Sequence, residues 1–310
     1  MRNWLILFVG AALIAAAALT SNNYILRLAT IMCMYATLAQ SWNYIGGLTG
    51  YPSFATAAFF GLGAYVSGVL QSHGGMPIIA AWGFGGLAAF LFAGFIGGAI
   101  LHLRGHYFAI ASLIIAEMLR EIVNTTPDLT GGGMGLNLPI LKMSVDAQAR
   151  FFFGAMMSLA IASTATAIVL MNSKLGFGLR CIQQNEDAAN ILGINAYGYK
   201  TAAFMLSAVY VGIAGAVYAS WVNYIEPPDV FDVLLSVKPL VMVLLGGLGT
   251  IFGPVVGAIV LLTFEELVWR NFLTIHAAAL GVIIVLLVMF LPNGVLSLVR
   301  DWFARRKVAA

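Results

Sequence analysis

The sequence predicts an all-α integral membrane protein, and three observations carry that prediction. Its 310 residues are 61% hydrophobic and 9% charged, with a mean hydropathy of +0.96; a soluble domain carries about 25% charged residues. No Asp, Glu, Lys or Arg occurs between Leu28 and Leu103, and no soluble core hides so long an apolar stretch. Glycine is abundant, at 34 residues, as expected where helices pack closely in lipid. The expected architecture is one transmembrane domain over residues 1–310, a polytopic helical bundle of about 8–10 membrane segments, some broken or re-entrant.

A helix needs about 20 apolar residues to cross a bilayer. Runs that meet this need lie at residues 4–19, 28–44, 54–70, 77–101, 107–123, 151–171, 201–221 and 272–291. The first has Arg2 before it and small residues after it, as in a signal peptide, but the spans that follow favour an uncleaved helix. Residues 239–269 are apolar yet too long for one span, and Gly246-Gly247-Leu248-Gly249-Thr250 interrupts them. Lys and Arg in short loops set orientation. The tail Arg300, Arg305, Arg306, Lys307 and the loop 172–200 with Lys174, Arg180 and Lys200 are expected inside, and the acidic segment 226–232 outside. From that outer segment to an inner C-terminus the chain must cross an odd number of times. Splitting 239–269 at the glycines satisfies the parity; one kinked helix does not.

A second glycine-rich break lies upstream. The chain reads Gly46-Gly47-Leu48, then Gly50, Pro52 and Ser53, and later Gly63-Ala64; the other break reads Gly246-Gly247-Leu248, then Gly249, Pro254 and Gly257-Ala258. This is a weak internal repeat. Paired broken helices point to a transport path in secondary transporters, and the path is assigned to these residues by analogy. Close helix packing through glycine is the competing reading. Glu117, deep in its span and three residues from Arg120, joins the candidate path, because ionisable groups in a span face protein or water. A contact with a partner subunit is its alternative role.

The polar loop 172–200 stands out between two charge-free spans. At its centre Glu186-Asp187-Ala188-Ala189 predicts a short helix with acids in the first turn, where they suit the helix dipole, and an exit at Gly193. Its two alanines offer a low-relief face to an aqueous partner. The external Thr130-Gly131-Gly132-Gly133-Met134-Gly135 offers exposed amides at an outer mouth, and Pro227-Pro228 a stiff outer turn. His102 and His106 have a helical ligand spacing without a third ligand, so no metal is expected. Cys33 and Cys181 form no disulfide framework. The net charge of +3 forms no patch for nucleic acid, and no catalytic constellation occurs.

Several blocks together resemble one family. They are residues 176–195 (GFGLRCIQQNEDAANILGIN), 103–113 (LRGHYFAIASL), 129–136 (LTGGGMGL), 246–258 and the closing Leu291-Pro292-Asn293-Gly294. In their order along the chain they resemble the permease subunits of branched-chain amino acid ABC importers. Gln183 and Gln184 depart from that family's usual Arg and acidic residue. The resemblance implies a second, homologous permease subunit forming a channel with this one. It also implies two cytoplasmic ABC ATPase subunits that carry ATP and Mg, a periplasmic solute-binding protein, and a bacterial inner-membrane location. It assigns Arg180, Asn185, Glu186, Asp187, Ala188, Ala189 and Gly193 to ATPase coupling. This chain has no Gly-x-x-x-x-Gly-Lys-Ser/Thr motif, so no bound cofactor is expected on it and the motor belongs to another chain. A secondary transporter acting alone, or an ABC permease for urea, amides or aromatic acids, stays open at this stage.

Overall fold

A computed structural model describes residues 22–271, with residues 3, 4, 7, 10 and 281. The expected spans at 4–19 (those single positions aside) and 272–291, the basic tail and Leu291-Pro292-Asn293-Gly294 lie outside the described residues.

The main elements are α-helices joined by short connections, and polar side chains mark their starts. Asn22 caps α1 (Asn23–Trp42), Ser144 caps α5 (Val145–Met171), Ser173 caps α6 (Lys174–Gln184), Asn185 caps α7 (Glu186–Ile191) and Asn195 caps α8 (Ala196–Val222). Each side-chain oxygen accepts from a backbone N–H that the helix itself cannot satisfy. Between them lie α2 (Thr56–Ser72), α3 (Ile78–Ile100) and α4 (His106–Asn124). The chain ends, as described, with α9 (Leu234–Gly246) and α10 (Gly253–Asn271). Three of these helices, α3, α5 and α8, are long and apolar enough to cross a membrane by length and composition.

Helix α8 is the centre of the bundle and packs against α2 and α3, while α1 packs against α5. Glycines set these distances. A Cβ at Gly63 would lie 2.0 Å from the Gly212 carbonyl oxygen, and one at Gly215 would lie 2.0 Å from that of Phe60. Such small-residue contacts hold helices together where lipid supplies no hydrophobic drive. A satisfied polar set adds to them: Ser220 accepts from Trp82 Nε1 and from Gln71 Nε2, each at 2.9 Å.

The bundle has two distinct ends. At one, the loop 172–200 meets the ends of α1 and α3 and the start of α4. At the other, β1 (Leu136–Asn137) pairs antiparallel with β2 (Tyr224–Ile225), and Asn23 donates to Asp146. Helices α9 and α10 form an antiparallel hairpin whose turn lies at the loop end, so the chain does divide at the glycines of 246–250.

Lys200, counted in the sequence only as a loop cation, is 1% exposed, with three oxygen atoms around its ammonium group. Two expectations are corrected. Ala189 does not lie on an open face but is buried against Ile182 and Ala196. The glycines of 131–135 are not all free amides. Gly132 is buried, and Gly131, at φ 76°, closes a turn so tight that a Cβ would lie 2.0 Å from the Gly135 carbonyl oxygen.

Candidate functional site

The residues singled out in the loop converge on the end of the bundle. Asn185 accepts from the Ala188 N–H at 2.9 Å and starts α7. Gly193 leaves it with φ +84°, a left-handed conformation that glycine adopts without strain. Ahead of it, Arg180 turns back on α5. Its Nη2 donates to the Met171 carbonyl at 2.8 Å and its Nε to Gly176 at 3.3 Å, so it caps a helix C-terminus.

Glu186 is the anchor. Lys200 Nζ donates to Glu186 Oε1 at 2.8 Å, to the Leu101 carbonyl at 2.9 Å and to Tyr51 Oη at 3.2 Å, and lies 4.3 Å from the Tyr51 ring centroid. The Tyr51 hydroxyl in turn donates to the other Glu186 oxygen. Burial alone would push the Glu186 carboxyl up. The hydrogen bonds from Lys200 and Tyr51 and the charges of Lys200 and Arg104 outweigh burial and hold it below its ordinary value. One residue on, Asp187 takes a bidentate pair from Arg104, at 2.7 and 3.1 Å. That hydrogen bond and charge hold the Asp187 carboxyl down. This second pair is solvent-exposed and screened. The first turn of α7 is thereby tied to the break after α1, to the end of α3 and to the connection before α4.

What α7 shows to solvent differs from the sequence reading. Ala188 is exposed, but the relief comes from Ile191, Leu192 and Phe177, which are 87%, 79% and 64% exposed. Sequence reasoning missed the first two by treating them as spacers before Gly193. The available signal was two adjacent aliphatic residues in an otherwise polar loop. It also missed Tyr51, Arg104 and Lys200 as a set, since their partners are far away in the chain.

The two glycine breaks, some two hundred positions apart, touch each other. Helix α1 widens into a π-helical turn at Asn43–Gly47, a form common at functional sites. Asn43 Nδ2 donates to the Thr250 carbonyl at 2.9 Å, and its Oδ1 accepts from the Gly249 N–H at 3.0 Å. A Cβ on Gly47 would lie 3.0 Å from Gly249 N. The Gly249 N–H and the Thr250 carbonyl are thus paired within the protein. Gln183 adds to the joint by donating to the Gly47 carbonyl at 3.1 Å. Gly46, Gly47, Ser53, Gly246, Gly247 and Pro254 are buried, and Gly249 and Pro52 are half-buried. Gly50 is exposed, with φ 74°, beside Gln183. Trp42 Nε1 donates to the Ser53 carbonyl at 2.7 Å and closes the first break.

Glu117 lies elsewhere, on α4. It pairs with Arg120 at 2.8 Å, and both side chains are exposed, on a face that also carries Ile114, Met118 and Ile122. Among the described residues no cluster of His, Cys, Asp or Glu is arranged to hold a metal.

The sequence matches, over residues 24–291, the family described as "Branched-chain amino acid transport system / permease component". The chain belongs to that family. It is a multi-pass membrane protein and a transport subunit rather than an enzyme. It is 26% identical to the high-affinity branched-chain amino acid transport system permease protein LivM of Escherichia coli, over 98% of this chain and 78% of that protein. With the corresponding LivH of Salmonella typhimurium it shares 24% identity, over 86% of this chain and 92% of that one. A nucleoside ABC transporter permease protein, NupC, of Lactococcus lactis is 42% identical over only 18% of this chain. No solved structure matches the chain.

Proposed function

We propose that the chain is the permease subunit of an ATP-driven ABC importer that moves branched-chain amino acids, or a related small solute, across a bacterial inner membrane by alternating access. The observation that carries the mechanism is α7. It and its C-cap present Ile191 and Leu192 to the aqueous phase while Glu186 ties its other end to Tyr51 and to Lys200, which in turn donates to the Leu101 carbonyl. A helix held only at its rim would slide under load; one whose first residue is tied into the bundle passes displacement on. The loop end is the cytoplasmic face, and an ABC ATPase subunit binding ATP and Mg docks on Ala188, Ile191 and Leu192. Glu186, Arg104 and Lys200 transmit the stroke. The stitched breaks at Gly46–Pro52 and Gly246–Pro254 are the joint that yields.

The partner permease has its own support. A membrane span facing lipid with Glu117 and Arg120 would pay heavily for them. Their place among exposed aliphatic residues on α4 fits a protein or water-filled neighbour. A second, homologous permease meeting this face would enclose the path between the two chains, with a periplasmic binding protein delivering solute at the opposite end.

The test is co-purification of the ATPase with Gly193→Trp and Ala188→Arg variants. Both should lose the ATPase while inserting normally. Unchanged co-purification of both, or uptake driven by an ion gradient through this chain alone, refutes the assignment.

A further inference from the structure

At the end of the bundle opposite the loop, a cleft of 760 Å³ opens between the start of α1, the end of α8, the start of α9 and the end of α10. Its lining is unlike the rest of the bundle. Two cations, Arg27 and Lys238, and two carboxylates, Glu265 and Glu266, line it with the rings of Tyr35 and Trp221. Lys238 Nζ pairs with Glu265 Oε1 at 2.7 Å and lies 5.6 Å from the Tyr35 ring centroid. The Arg27 guanidinium sits 5.9 Å from the Trp221 ring centroid, and Glu266 accepts from the Tyr24 hydroxyl. The pair Lys238–Glu265 keeps about a quarter of each side chain open to the cleft, 26% in both cases. Deeper in, the walls turn apolar at Ile31, Met34 and Leu262.

Placing four ionisable groups on helices of a membrane bundle is costly, and such groups mark solute or ion pathways. Their balance defines the ligand. An anion would meet two carboxylates and a cation two basic groups, so neither is favoured alone. A zwitterion satisfies both signs at once: its carboxylate takes Arg27 and Lys238, and its ammonium takes Glu265, Glu266 and the aromatic faces. Ile31, Met34 and Leu262 then receive an apolar side chain.

We propose that this cleft is an entry site for a free zwitterion with an apolar side chain, an aliphatic α-amino acid, on its way into the bundle. The inference rests on the transporter reading and gives its solute a place and the residues that meet it. The zwitterionic headgroup of phosphatidylethanolamine shares the chemistry and is the competing source.

The experiment uses the assembled importer in phosphatidylglycerol nanodiscs, without its binding protein, and measures equilibrium binding of radiolabelled L-leucine. Leucine should bind. 4-Methylpentanoate, which lacks the ammonium, and isoamylamine, which lacks the carboxylate, should not displace it. Arg27→Gln removes an exposed cation without leaving a buried partner, and should weaken leucine binding about tenfold, the usual worth of a charge-assisted hydrogen bond. The swap Lys238→Glu with Glu265→Lys retains a pair for folding while reversing its polarity, and should weaken binding as well. Leucine affinity unchanged in both variants overturns the proposal, as does absence of leucine binding in the parent complex. Leucine displaced by added phosphatidylethanolamine, with uptake unaffected in both variants, assigns the cleft to lipid and also overturns it. ATPase docking uses none of these residues. Retained co-purification beside an unchanged leucine affinity therefore sinks the cleft and leaves the transporter reading standing.

Discussion

Replacing Lys200 by Met tests whether α7 is anchored as described. Methionine keeps an unbranched apolar stem and removes the ammonium. Lost with it are donations to Glu186 at 2.8 Å, the Leu101 carbonyl at 2.9 Å and Tyr51 at 3.2 Å, in a place where Lys200 is 1% exposed. Glu186 is then left charged, with 16% of its side chain exposed and only the Tyr51 hydroxyl and the charge of Arg104 to stabilise it. Breaking a buried pair from one side costs about 3–5 kcal/mol, or roughly two to four powers of ten in the local opening equilibrium. Helix α7 has only six residues and little buried area of its own. The cost therefore falls on the helix, while the bundle stays folded. Hydrogen exchange of amides 186–194 in the purified complex measures it. Exchange should accelerate there and stay unchanged in α8 beyond its first turns, and transport per ATP should fall. Adding Glu186→Gln removes the stranded charge and should restore much of the protection. Unchanged exchange in Lys200→Met, or a double variant as exposed as the single one, refutes the anchoring.

Three further outcomes follow from the geometry. Because Glu186 and Asp187 have folded-state pKa values below their ordinary ones, their contribution is fully present above about pH 4.3 and is lost as pH falls through the lower folded values; protection of 186–194 should be level from neutrality down to about pH 4.3 and then decline, and Glu186→Gln should flatten that decline. Gly257→Ala places a Cβ 1.8 Å from the Met242 carbonyl oxygen, so the α9–α10 hairpin must separate; a melting temperature well below that of Gly154→Ala, which meets nothing within 4 Å, is expected by thermal unfolding in detergent. Asn43→Leu strips the hydrogen bonds from Gly249 N and the Thr250 carbonyl; each unpaired buried group costs about 1–3 kcal/mol, and cysteine cross-linking between the two breaks should become less efficient.

The fold was legible where composition speaks. Long apolar runs mark α3, α5 and α8, the helices long and apolar enough to cross a membrane, and the glycines together with parity place the division at 246–250 that separates α9 from α10. The helix at Glu186 and its exit at Gly193 could be read from local chemistry, because caps and left-handed glycines are decided within a few residues. The anchoring could not. Lys200 resembles any other loop lysine until Tyr51, about 150 positions upstream, and Leu101 are known to surround it. The contact of Arg180 was hidden for the same reason: the resemblance assigns it to coupling, and that its guanidinium also caps α5 is visible only in the fold. The cleft at the end opposite the loop gives no one-dimensional sign at all, since Arg27, Lys238 and Glu265 are brought together only by the packing of α1, α9 and α10.

The stitching of the two breaks has a mechanical consequence. Asn43 binds the turn after α9 to the end of α1, Gln183 grips the Gly47 carbonyl, and Glu186 grips Tyr51 four residues later. The segment from Gly47 to Tyr51 is thus held at both ends by the paired loop helices, and the helical ladder runs out within it, at Gly50, whose N–H still reaches the Gly46 carbonyl at 3.1 Å. A lever works only if its compliance is concentrated. Here the stiff arms are helices, the chain without a helical ladder is Gly50 to Phe54, and the two glycine breaks, far apart in the gene, meet beside it.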